Sequence, residues 1–228
     1  ISYRLVGSEM CIRDRYSESQ FKQQPQVPQP EILHSDLASL VMELAFWGAG
    51  DISELKWLNI PSSASLAQAK QLLISLGLLT EQGQLTSAGK TAHALGVEPR
   101  SAAMLIQTQQ HSEKMLNTAL AAVALIEEPE RNATNVAHSL HRWVSGTHTK
   151  KAILHKRSQT LAHKLDTAFS LANVDERALA LVLSLAFPDR IAQQRVNQYG
   201  RFTLSNGHGA ECRPVSYTHL TLPTTYTV

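Results

Sequence analysis

Cysteine is nearly absent. The 228 residues hold two, Cys11 and Cys212, near opposite ends. No CxxC pair exists and no disulfide framework can be drawn, so a reducing, cytoplasmic setting is expected. Aromatic side chains make up only 6% of the chain, and the net charge is just +2. A balance that close argues neither for nor against a polyanionic partner; the distribution of charge has to decide. Long hydrophobic runs are missing too. The longest, such as LALVLSLAF from Leu179 to Phe187, are far short of a bilayer span, and no signal peptide is visible, so no membrane partner is expected. Asn132-Ala133-Thr134 matches a glycosylation sequon, which without secretion reads as chance. What is plentiful is Leu and Ala. A chain 43% hydrophobic and 18% charged favours a mostly helical protein of one or two small domains.

Neither end shows useful periodicity. ISYRLVGSEMCIRDR at 1–15 and PVSYTHLTLPTTYTV at 214–228 resemble translated adapter sequence and are set aside, ordinary flexible termini being the alternative. Residues 16–29, rich in Gln, Ser and Pro, read as a polar linker. Between these ends the pattern is orderly. Leu37, Leu40, Val41, Leu44 and Ala45 form one apolar helical stripe, stopped at Gly48. Asp51 and Glu54 make a capping box for a short helix carrying Leu55 and Leu58. Leu66, Ala69, Leu72, Leu73 and Leu76 predict a third helix. Leu78-Leu79 and Gln84-Leu85-Thr86 flank a Gly83 turn and predict a small hairpin, followed by a helix from about Ser87 to Leu95. Pro99 opens the next helix. Further helices are predicted over roughly 113–126, 132–144, 149–171 and 175–195. Arg201 to Leu204 then alternates polar with apolar, and Asn206-Gly207 is a hairpin turn signal.

In that order, PEIL, DLASLVMELAFWG, LKWLNIP, LGLL, GQLTSAGK and LGVEPRSAAML are similar to the region that follows the second motor domain of DEAH-box helicases. AFPDRIAQQR followed by GRFTLSNGHGAE resembles the HrpB-type bacterial members in particular. The resemblance covers about residues 16–213. It implies a mostly α fold: a winged-helix module over 30–97, a ratchet-like helical bundle over 98–196, and at 197–213 the start of a truncated C-terminal region with a small β element. It implies an ATP-dependent, RNA-directed parent whose ATP and Mg sites lie in motor domains absent from this chain. His34 is a departure, since relatives often carry other residues there, including Arg, which weakens any charge role for the position.

The chain itself offers no catalytic residue. Gly83 to Thr91 comes near a phosphate-cradling GxxxxGK[ST] loop, but its glycines are five residues apart and no buried strand precedes it. Gly83 reads better as the wing turn, and Thr86 or Ser87 as a helix cap. No DEAH run exists; Val174-Asp175-Glu176-Arg177 reads as an acidic helix start.

Charge of one sign is missing from one stretch. Residues 131 to 164 contain no Asp or Glu but hold Arg131, Arg142, Lys150, Lys151, Lys156, Arg157 and Lys164. Such cations meet phosphates without reading sequence, and Trp143 beside Arg142 is placed to stack on a base; the alternative is a solvated helix face with Trp143 in the core. Arg190 and Arg195 are further candidates for a phosphate contact or a domain junction, Asp189-Arg190 otherwise forming a local ion pair. Arg100 is read as structural. The histidines of the stretch read as solvated rather than metal-binding. Trp47 and Trp57 are expected in the core. Lys70 is the one cation of the third helix, so sequence-specific DNA reading is weakly supported. The expected role is therefore an accessory, ATPase-free part of a helicase that contacts single-stranded nucleic acid, with the motor domains as partner in cis. A standalone winged-helix binding module or a structural scaffold are the alternatives.

Overall fold

The computed structural model describes residues 30–211 apart from 50–54, 132, 134, 197 and 199. Both adapter-like ends, Cys11 and Cys212, the 16–29 linker, the Asp51–Glu54 capping box and two sequon positions lie outside the described residues. Among the described residues the chain is mostly helical, with eight α-helices and one three-stranded antiparallel sheet.

Helix α1 (Ala38–Trp47) buries Val41, Met42 and Leu44 and ends at Gly48 in the left-handed region. Helix α2 (Ser63–Ser75) is capped by the Ser62 hydroxyl, which accepts from the Ser65 amide. Among the described residues, 55–60 are irregular and Leu58 is 100% exposed, so the predicted short helix does not extend over Leu55 and Leu58. Trp47 is not core either, at 74% exposure. The apolar arc of α1 centres on Val41, and Trp47 sits about a third of a turn from it. The expected hairpin reduces to a single bridge, Leu79 to Leu85.

Helix α3 (Ser87–Leu95) starts where the Thr86 hydroxyl accepts from the Gly89 amide. That amide is therefore already used, and the Gly83–Thr91 run is a turn plus a helix cap. Gly89 also has no room for a side chain, since a Cβ there would lie 2.1 Å from the Leu78 carbonyl. Helix α4 (Pro99–Gln109) opens on its proline.

Helix α5 (Glu113–Glu127) is the hub. Every residue from Leu116 to Leu125 is buried, as expected of a helix apolar on all sides. Its alanines admit close neighbours, and α4, α6 (Val136–Val144), α7 (Lys151–Lys164) and α8 (Leu179–Ala186) all pack on it. Three helices are shorter than predicted, α6 beginning at Val136 rather than near 132. Helix α7 stops at Lys164 rather than near 171, because polar side chains of α5 capture the following backbone: Asn117 Oδ1 accepts from the Ser170 amide at 2.7 Å, and Thr118 Oγ1 from the Asp175 amide at 2.9 Å. Helix α8 stops at Ala186, since Phe187 precedes a proline and leaves the helical region. The rest of the predicted 175–195 helix contains strand β1 (Ala192–Gln194), which pairs with β2 (Arg201–Leu204), which pairs in turn with β3 (Gly209–Glu211). The Asn206-Gly207 turn joins β2 to β3 as predicted, with Gly207 at φ 85.

Candidate nucleic-acid interface

The acid-free stretch forms α6, α7 and the loop between them. Immediately before it, at the C-terminal end of α5, stand Glu127, Glu128 and Glu130. A carboxylate at a helix C-terminus is electrostatically misplaced unless a cation answers it, and each of these three has one. Arg157 of α7 grips Glu127 with Nε at 2.6 Å and Nη2 at 3.0 Å. Lys150 Nζ lies 3.5 Å from Glu128 and donates to the Pro129 carbonyl at 2.8 Å. Arg142 of α6 donates to Glu130 at 2.7 Å. These pairs are partly open to solvent and add little stability. Their main effect is to cancel charge and fix the α6–α7 loop against α5.

Glu130, between α5 and α6, anchors this loop. One carboxylate oxygen accepts from the Thr149 amide and hydroxyl, and the other from Arg142. The Thr149 hydroxyl, helped by its amide and by the charge of Arg142, holds the Glu130 carboxyl below its ordinary range. His148 is buried, at 2% exposure, and is not the solvated side chain expected of it. Its Nδ1 accepts from the Lys150 amide at 3.1 Å, which leaves the proton on Nε2, 3.6 Å from Glu130. Burial lowers its pKa, against the pull of Glu130. Among the other histidines, His138 and His163 are exposed, and His141 meets Glu176 at 3.1 Å. Among the described residues no group of His, Cys, Asp and Glu is arranged to hold a metal ion.

Trp143 belongs to the core. It is 2% exposed and stacks on Phe169 with ring centroids 5.8 Å apart, so no face is open to a base. Lys164 is also committed to protein: its Nζ donates to the Leu95 carbonyl at 2.7 Å and answers the C-terminus of α3. Besides Lys164, whose partners are carbonyls, three cations of the stretch keep their charge unanswered by any carboxylate among the described residues. They are Arg131, Lys151 and Lys156, all exposed, with Lys151 Nζ only 3.4 Å from the Gly146 carbonyl.

Arg190 and Arg195 lie apart from this group. Asp189 pairs not with Arg190 but with Arg100, through contacts of 2.6 and 3.1 Å, and Arg100 also donates to the Ala186 carbonyl. The Arg100 hydrogen bond lowers the Asp189 pKa. Arg100 thus joins α4 to the end of α8. Arg190 lies 4.9 Å from the centre of the Phe187 ring, a cation–π distance. Arg195, on the sheet, donates to the Thr203 hydroxyl at 3.0 Å. The counter-charges of α5 are what the sequence reading missed; the run Glu127-Glu128-Pro129-Glu130 directly upstream was the available signal.

A mostly helical chain built on one buried hub helix and ending in a small antiparallel sheet is the architecture of a segment found in ATP-dependent RNA helicases. No family model matches the chain. HrpB- and HrpA-type DEAH-box helicase homologues do cover it, and it corresponds to a small part of each. It is 39% identical over 187 residues to the ATP-dependent RNA helicase HrpB of Escherichia coli (strain K12), a match over 80% of this chain and 21% of that protein. It is 30% identical over 145 residues to the ATP-dependent RNA helicase HrpA of the same organism, covering 60% of this chain and 11% of HrpA. A crystal structure of the E. coli DExH-box NTPase HrpB superposes with a TM-score of 0.69 at 35% identity, over 86% of this chain and 23% of that one. The chain therefore spans about a fifth of the length of HrpB. Among the described residues no helix is long and apolar enough to cross a membrane.

Proposed function

We propose that this chain is the accessory region that follows the motor of an HrpB-type RNA helicase and that it holds single-stranded RNA for that motor. Residues 30–97 act as the winged-helix module, 98–196 as the ratchet-like bundle, and 197–213 begin the C-terminal region. ATP and Mg belong to the motor domains in cis, and the setting is cytoplasmic. The observation that carries this reading is the match to HrpB, which runs through most of this chain while covering about a fifth of HrpB. The bundle supports it physically. Glu127, Glu128 and Glu130 neutralise the cations nearest α5 and fix their helices, so the cations left to meet phosphates are Arg131, Lys151 and Lys156, with Arg190 and Arg195 on the separate α8–sheet side. Contacts of this type bind any sequence and weaken with salt, which suits a strand that must slide.

The scaffold reading also has an observation in its favour: so many of the candidate cations are answered by protein. Replacing Lys151 and Lys156 together by Glu separates the two readings, because it leaves every ion pair of the bundle intact. Fluorescence anisotropy with a labelled oligouridylate should show weaker binding and a salt slope smaller by about 0.7 per lost phosphate contact. Unchanged affinity and slope in this variant would favour the scaffold.

A further inference from the structure

One cleft is not used by the reading above. It lies between α1, α2 and the turn at 80–84, and holds about 600 Å³. Val41, Leu79 and Leu85 give it an apolar floor, Phe46 forms a wall, and Lys70 and Lys90 stand on its rim. No carboxylate lines it among the described residues. Lys70 is half-buried, and its Nζ lies against Gly83; a Cβ on that glycine would come within 3.3 Å of it. Gly83 has φ 83, so the turn both needs the glycine and leaves the space the ammonium fills. Neither ammonium has a hydrogen bond or ion pair among the described residues. A half-buried ammonium without an acceptor is an incomplete arrangement, and an anion completes it. Phe46 adds the second half. One face of its ring stacks on His93 at 3.8 Å, while the residue stays 52% exposed.

An apolar floor and an aromatic wall are poor company for a bare inorganic anion, and two cations are poor company for an aliphatic ligand. A flat ring bearing phosphates satisfies both. We propose that this cleft holds one unstacked nucleotide of a single strand, its base against Phe46 and its flanking phosphates at Lys70 and Lys90. Base–aromatic stacking and cationic rims are how single strands are held without regard to sequence. The proposal rests on the reading of the chain as a single-strand binder and adds a contact point outside the helical bundle.

The test uses the whole chain and a labelled oligouridylate. Lys70→Met with Lys90→Met removes both charges and keeps the aliphatic stems that pack against the turn. Affinity should fall about fivefold or more, and the salt slope should shrink by about 1.4 for two lost phosphate contacts. The unmodified chain, irradiated with a 4-thiouridine oligonucleotide, should cross-link within 41–49 or 79–90 by mass spectrometry. Wild-type affinity and slope in the double variant, or cross-links confined to 131–164, overturn the proposal. So does a double variant that loses affinity for polyglutamate but not for RNA, which would make the cleft an acidic-peptide site. Lys151→Glu with Lys156→Glu is measured in parallel. If it weakens binding while the cleft variant does not, the cleft assignment fails and the single-strand reading survives; if neither weakens binding, both fail.

Discussion

Trp143 and Arg142 are neighbours in sequence with opposite fates. Arg142 turns outward to Glu130, while Trp143 closes the core against Phe169. Substituting Trp143 by Ala should cost about 3–5 kcal/mol, the usual range for emptying a buried aromatic site. Trp143→Phe should cost less and leave oligouridylate affinity unchanged; a loss of affinity in a variant with a wild-type unfolding midpoint would restore a base-stacking role. Lys156 and Arg157 make a second contrast. Arg157→Glu sets a carboxylate against Glu127, the group Arg157 now grips through two nitrogens, whereas Lys156→Glu changes an exposed position. Urea titration should find Arg157→Glu destabilised and Lys156→Glu close to wild type. Composition showed that 131–164 is basic. It did not show which cations are free, because their partners lie at and just beyond the end of α5, outside the stretch.

Helix α5 shows at the scale of elements what a sequence reveals and what it withholds. Its span was legible, since Leu116 to Leu125 has no solvated face to confuse the period. The early ends of α7 and α8 were not. The residues after α7 read as helix by composition, yet the side chains of Asn117 and Thr118 draw the 170–175 backbone along α5. Strand β1 was equally hidden, because Ala192-Gln193-Gln194 has no strand propensity of its own and exists by pairing with β2. The irregular path at 55–60 and the outward Trp47 belong with these: residue type says apolar, and only the neighbours say which side is covered. Thr118→Val keeps the shape of the side chain and removes its acceptor, leaving the Asp175 amide unpaired. A loss of about 1–3 kcal/mol is expected, together with faster amide hydrogen exchange at 170–175. Wild-type protection there would mean that packing of Phe169, rather than the α5 hydrogen bonds, holds the segment.

The whole molecule is tied together by groups that respond to acid in the same direction. The α5–α6–α7 junction depends on a charged Glu130 beside a neutral, buried His148, and the α4–α8 junction depends on a charged Asp189 beneath Arg100. Burial lowers the folded pKa of His148 below its ordinary value of about 6.5, so the unfolded chain binds its proton first. Its contribution is complete above that value and declines as pH falls toward the lowered folded pKa. Glu130 and Asp189 also have depressed folded values, set by the Thr149 and Arg100 hydrogen bonds. Their stabilisation is present above the ordinary carboxylate range and is lost at more acidic pH. Stability should therefore be level above about pH 6.5 and fall in two stages below it. His148→Asn, whose Oδ1 can still accept from the Lys150 amide, should abolish the first stage and retain the second. Urea midpoints measured from pH 8 to pH 4 on both proteins test this. A first stage that persists in His148→Asn would move the near-neutral titration to another group, and a flat profile throughout would mean that neither junction depends on the charge of these three residues.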